Sequence, residues 1–347
     1  MLTLLFKLVE SGLIPDPLVR MGIRNRNVAR LKLEAASNPG VAKYAEILKS
    51  TPIATHTASA NEQHYELPPG FFDLVLGPRR KYSSCLFTHP NAALPEAEDA
   101  ALSASCDHAE LSDGQTILEI GCGWGSLTLW MAENYPNSKI HSFSNSKPQR
   151  DYIRAKLNER GLSNVQVETA DMNSFDPEQF GWPKGSFDRI VSIEALEHMK
   201  NYHDVFERFS QWLNDDGKAF IHIFVHKDKP YPFVAESDDD WMAKYFFAGG
   251  HMPARDLFDH FNQHMIVEQK WDWNGCDYGK TARAWLENQD ANKAKIMPIM
   301  ADVYGRTDAA KWYQRWRIFF MAVEELFNHA GGSEWFVTHY RLKKSGN

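Results

Sequence analysis

The stretch Ile117-Leu118-Glu119-Ile120-Gly121-Cys122-Gly123-Trp124-Gly125 constrains this chain more than any other. An apolar run ends in a carboxylate, turns through three glycines and enters Ser126 to Ala132, which reads as a helix. Strand, tight Gly turn and helix N-terminus form a nucleotide cradle in a doubly wound α/β fold. Glycine is needed because the backbone must reach positive φ and let a ligand approach closely. A dinucleotide site would read G-x-G-x-x-G, with an acid about 20 residues on for the ribose. Here the spacing is G-x-G-x-G, and the next strand, Lys139 to Phe143, runs into Ser144-Asn145-Ser146 without an acid. That argues against a bound pyrophosphate.

From about 112 to 228 strands and helices alternate, the pattern of a parallel α/β sheet. Strands are expected at 116–120, 139–143, 165–169, 188–193 and 218–225, with a turn at Asn214 to Gly217 before the fifth. Two more are expected at 265–273 and 335–341, giving a seven-stranded Rossmann-like sheet. Residues 1–105 read as a helical N-terminal cap, with helices at 26–36, 44–49 and 95–107. Residues 106–347 read as the sheet domain, with lid insertions at about 229–262 and 276–330.

Composition narrows the function. With 347 residues and 43% apolar content the chain can bury a sizeable core. A net charge of −7 and no basic run speak against nucleic acid. Cys85, Cys106, Cys122 and Cys276 form no C-x-x-C pair, which suits a reducing compartment such as the cytoplasm and no structural zinc. The 14 histidines are not in metal-ligand spacing, so no metal is expected. No run of about 18 apolar residues exists for a membrane span. The short apolar stretch Met1 to Val9 reads as an amphipathic helix against the body, with a membrane-surface helix as the alternative. A homodimer is an open option.

The fourth strand ends at Glu194-Ala195-Leu196-Glu197-His198. The spacing i, i+3, i+4 puts Glu194, Glu197 and His198 on one face of a helical turn. Ligands of such sheets bind at the carboxyl ends of the strands. Paired carboxylates there would hold a cation, and an imidazole with an ordinary pKa near ~6.5 could take its proton. Two Glu in a first helical turn could also merely complement the helix dipole.

The Gly turn resembles motif I of class I S-adenosylmethionine-dependent methyltransferases. Further segments follow in order: Tyr65-Glu66-Leu67-Pro68, Phe71-Phe72, Lys81 to Phe87, Ser144-Asn145-Ser146 with Gln149, Ala170-Asp171-Met172, Glu194 to Tyr202, Asp239-Asp240-Trp241, Tyr245 to Gly249 and Trp316 to Phe319. Together they resemble the cyclopropane-fatty-acyl-phospholipid synthase superfamily over roughly residues 60–345. Glu197 to Tyr202 and Glu334-Trp335 favour its coclaurine N-methyltransferase-like branch. The resemblance implies S-adenosylmethionine as cofactor and a small amine as acceptor. It implies that Tyr82 and Ser83 hold the methionine end, that Glu119, Gly121 and Gly123 form the cradle, and that Asn145 and Gln149 take the ribose. Asp171 would meet the adenine amino group, with Met172 beside it. Glu194, Glu197 and His198 would bind and deprotonate the amine. Taken alone, Tyr82 could equally be a core aromatic and Asp171 a helix cap.

The lipid-modifying branch uses bicarbonate as base, held among positions matching Cys85, Glu197, His222 and Tyr278. This chain keeps those residue types and departs at Glu194, where that branch usually has glycine. A carboxylate there repels an anion. The plant N-methyltransferases, in turn, usually carry glutamate where His222 stands, and His222 also reads as an ordinary strand histidine. Trp241, Phe246, Phe247, Trp316, Phe319, Phe320, Phe327 and Trp335 are candidates for an aromatic acceptor wall, Trp241, Phe246 and Trp335 first among them.

Overall fold

The apolar run Thr116–Ile120 forms strand β1, buried over its last four residues, as a strand covered by helices on both faces must be. It pairs in parallel with β2, Lys139–Ser144, on one side. In register order β3, Val165–Thr169, extends the sheet beyond β2. On the other side of β1 lie β4, Phe187–Ile193, and then β5, Leu213–His226. β6, Met265–Trp273, and β7, Trp335–Lys344, complete it antiparallel, in the order β3-β2-β1-β4-β5-β7-β6. The chain reverses direction across the sheet between β1 and β4, so the crevice beyond these two strand ends is where ligands of such sheets sit. This computed structural model describes residue 6 and residues 8–54, 67–234, 241–247 and 249–346. Met1 to Leu5, Tyr65, Glu66 and Asp238 to Asp240 lie outside the described residues.

All seven expected strands form, which makes the α/β class with a Rossmann-like sheet a finding. One boundary differs. Asn214 to Gly217, expected as a turn, lies within β5 as a bulge: Phe187 pairs with Leu213 and Arg189 with Lys218. Asn214 Nδ2 bonds Asp188 Oδ1 at 2.7 Å and holds the bulge to β4.

Helix α1, Asp16–Ser37, begins ten residues before the basic segment expected to be helical, because Asp16 and Pro17 suit a first turn. Then come α2, Val41–Lys49, α3, Pro69–Val75, and α4, Leu94–His108. Two helices flank β2: α5, Ser126–Asn134, and α6, Lys147–Arg160. α7, Tyr202–Trp212, covers the opposite face with Phe206, Phe209 and Trp212. The 229–262 insertion carries the short α8, Trp241–Tyr245, and a two-residue strand pair, Tyr231–Pro232 with His251–Met252. The later insertion holds α9, Gly275–Ala291, α10, Lys293–Tyr304, and α11, Ala309–Phe327. α1 is tied to α11: Arg20 meets Glu324 at 2.9 Å and Glu325 at 2.8 Å. Among the described residues no helix is long and apolar enough to cross a membrane.

Candidate active site

The Gly turn fits a cofactor. Gly121 and Gly125 are filled positions: a Cβ on Gly121 would stand 2.4 Å from Ala195 Cβ, and one on Gly125 2.7 Å from Ile153 Cγ1. Gly123 has φ +51 and faces open space. Gln149 is buried, its Oε1 accepting from Ser144 Oγ at 2.7 Å, and its Nε2 has no partner among the described residues. An orphaned buried donor beside an open Gly turn is what a ribose hydroxyl would satisfy. Exposed Asn145 stands on the same loop. Asp171 Oδ1 accepts from Asn173 N at 2.8 Å and so caps its own turn, while Met172 packs into the core beneath. Glu119 points inward. It accepts from Thr128 Oγ1 and, at 2.8 Å, from Ser142 Oγ, and burial pushes its carboxyl up to about 7. It braces the cradle from below. Tyr82 packs between Phe72 and Trp285, and the Ser83 hydroxyl accepts from Lys81 Nζ at 2.6 Å.

Glu194 follows β4 with its own N–H donated to His222 O at 2.9 Å, then turns at φ +45. The expected single helical face is therefore not what gathers the acids. Leu196–His198 is one 3₁₀ turn, and Glu194 lies before it in the left-handed region, a strained conformation for a side-chain-bearing residue. The turn brings the Glu194 carboxylate onto three donors: Ser84 N at 2.9 Å, His222 Nε2 at 3.1 Å and Tyr278 OH at 2.6 Å. Glu197 Oε1 accepts from Phe224 N at 3.1 Å, and its buried Oε2 has no partner among the described residues. Burial pushes both carboxyls up, and Glu194 pushes Glu197 further. Two carboxylates in one buried site repel each other, which disfavours both being ionised. Lys81, itself buried, pulls Glu194 back down. His198 is half-buried, with its ring flat against Phe247 at 5.4 Å, and burial lowers its pKa to about 4.

Of the aromatic candidates, Phe247 lies against the His198 ring, whereas Trp241, Phe246 and Trp335 pack into the interior. Trp241 donates from Nε1 to Glu10 at 2.9 Å, Phe246 is stacked on Phe319 at 4.5 Å, and Trp335 donates to Tyr231 OH at 2.9 Å. All three are buried side chains of the packed interior. Half-buried Phe233 and Phe247, with Phe224 beside them, stand next to His198 and Glu197 instead. Sequence reasoning gave no role to Phe233 or Ser84, and only long-range pairing reveals them.

Residues 53–332 match the mycolic acid cyclopropane synthetase family. The chain is 33% identical to (S)-coclaurine N-methyltransferase of Thalictrum flavum subsp. glaucum, over 98% of this chain and 95% of that protein. A crystal structure of coclaurine N-methyltransferase bound to N-methylheliamine and S-adenosylhomocysteine superposes with a TM-score of 0.92, at 32% identity over 99% of both chains. Cyclopropane-fatty-acyl-phospholipid synthase of Escherichia coli K12 is 29% identical over 70% of this chain and 58% of its own length. The chain belongs to the mycolic acid cyclopropane synthetase family of S-adenosylmethionine-dependent methyltransferases, and within it is similar over its whole length to coclaurine N-methyltransferase.

Proposed function

We propose that this chain transfers the methyl group of S-adenosylmethionine to the nitrogen of a small cyclic amine carrying an aromatic ring. The observation that carries this reading is the position of the Glu194 carboxylate. It occupies the donors of His222 and Tyr278, two of the groups that the lipid-modifying pattern assigns to bicarbonate. A carboxylate fixed to the chain there disfavours a free anion and favours a cation. Glu197 adds a second acceptor, and the Phe233 and Phe247 rings offer faces to an aromatic ammonium.

Bound S-adenosylmethionine supplies an electrophilic methyl on a sulfonium. In this reading Gly123, Gln149 and Asp171 would hold that cofactor, and Glu194 with Glu197 would orient the amine. His198 is the proposed acceptor of the amine proton; burial lowers its pKa to about 4, so the ring is neutral at physiological pH but a weaker base than a free imidazole. The four free thiols suit a cytoplasmic location. The test is S-adenosylhomocysteine release from full-length protein given either heliamine or phospholipid vesicles with bicarbonate. Turnover with heliamine and none with vesicles is expected. Turnover with vesicles alone overturns the reading.

A further inference from the structure

Glu194 is joined to the protein surface by three histidines. His222 Nε2 lies 3.1 Å from Glu194 Oε1, His222 Nδ1 lies 2.8 Å from His339 Nε2, and His108 Nδ1 lies 2.8 Å from the second ring nitrogen, Nδ1, of His339. His222 and His339 are cross-strand partners on β5 and β7 and are fully buried. His108 ends α4, is half-buried and lies flat on Trp271 at 4.0 Å.

Each neutral imidazole carries one N–H, and this fixes the direction of the chain. With Glu194 ionised, His222 must donate from Nε2, His339 from Nε2 and His108 from Nδ1. With Glu194 protonated on Oε1 all three reverse, and His108 presents its Nε2–H outward. The states interconvert by four linked shifts. The Oε1 proton passes to His222 Nε2, and the His222 Nδ1 proton passes to His339 Nε2. The His339 Nδ1 proton passes to His108 Nδ1, and the His108 Nε2 proton passes to water. One proton leaves Glu194, one appears at the surface, and no ring turns over. The reverse shift restores every tautomer.

The surroundings keep the rings neutral. Burial lowers all three, Lys81 lowers His222 and His339 further, and at His108 Asp107 raises while Arg341 lowers. The inner end faces Glu197, Cys85 and Tyr278. The Phe220 and Trp273 rings also pack against His339, and Trp271 is its cross-strand partner on β6.

We propose that His222, His339 and His108 are a proton wire through which buried Glu194 loses its proton to solvent as a cationic amine enters, and regains it as the cation leaves. The proposal takes its cation from the amine reading above. His339 and His108 act through Glu194 and are relay residues, not catalytic ones.

The test uses the full chain saturated with S-adenosylhomocysteine and mixed with N,N-dimethylated heliamine. This quaternary ammonium has no N–H, so any released proton comes from the protein. On binding, nitrogen-15 signals of His222 and His339 should exchange donor and acceptor character together, and a pH dye should report proton release that keeps pace with binding. In His339→Phe the cation should still bind while proton release slows by about tenfold or more. His108→Phe, at the half-buried end, serves the same purpose if the buried variant does not fold. Tautomers that stay unchanged on binding, or proton release as fast in the variants as in the parent, would overturn the wire. Failure of the cation to bind counts against the amine reading alone. The wire is then decided by a pH titration of the free chain: both rings must switch together as Glu194 ionises, and separate switching refutes it.

Discussion

The Tyr278 hydroxyl donates to Glu194 Oε2 at 2.6 Å, across a helix that begins at Gly275 and a strand that ends at Ile193. This bond, with those from Ser84 N and His222 Nε2, surrounds one carboxylate with three donors. It also pulls the Glu194 pKa down against burial, favouring the ionised form that a cationic amine needs. A hydrogen bond to a charged group contributes about 1.5–3 kcal/mol. Tyr278→Phe should therefore lower kcat/KM for heliamine by about ten- to a hundredfold and lower the melting temperature as well, because the same buried bond is lost to folding. Steady-state kinetics with a thermal melt checks this.

His198→Ala should lower kcat by about a hundredfold or more, the usual contribution of a positioned base. Its affinity for S-adenosylhomocysteine, read by calorimetry, should stay near that of the parent. Lost cofactor affinity would place His198 in the cofactor site.

Gly123→Ala adds a methyl group where nothing lies within 4 Å, whereas Gly125→Ala drives one to 2.7 Å from Ile153 Cγ1. Both carry the cost of a side chain at positive φ, about 1–2 kcal/mol. Gly123→Ala should fold and bind S-adenosylhomocysteine weakly. Gly125→Ala should lose stability as well. Melting curves with and without ligand separate the two outcomes.

The sheet was legible because strand-like segments alternate with helical ones from about 112 to 228, and Gly121 to Gly125 marked the first crossover. Glu194, Glu197 and His198 were legible as a group because they are neighbours in sequence. Their mode of assembly was not. The positive φ at Glu194 depends on its N–H bond to His222 O on another strand. The histidine chain was hidden for the same reason: His108, His222 and His339 meet through the β5–β7 register and the end of α4, which no local pattern encodes. Trp241, Phe246 and Trp335 were visible as aromatics, but composition alone does not separate a ring that packs the interior from one that faces a ligand.

Stability should fall with acid through His251. This ring is fully buried between the hydroxyls of Tyr202, at 2.7 Å, and Tyr44, at 3.2 Å. Burial holds its pKa at about 3, below an unfolded value of about 6.5. The folded state binds fewer protons, so the contribution is full above about pH 6.5 and is lost as pH falls toward 3. Between pH 7 and pH 5 the loss should be about 2 kcal/mol. Urea unfolding at the two pH values should show a smaller difference in His251→Gln than in the parent. An equal difference would assign the acid sensitivity elsewhere.

The most direct test of the account is Glu194→Gly assayed with heliamine, with and without added formate. The variant leaves Ser84 N, His222 and Tyr278 around a space the size of the lost carboxylate. Removing a buried charged partner should lower kcat/KM by about a hundredfold or more. Formate should enter that space and restore part of the activity, saturating with concentration. Undiminished turnover of heliamine by Glu194→Gly would contradict the claim that this carboxylate binds the amine.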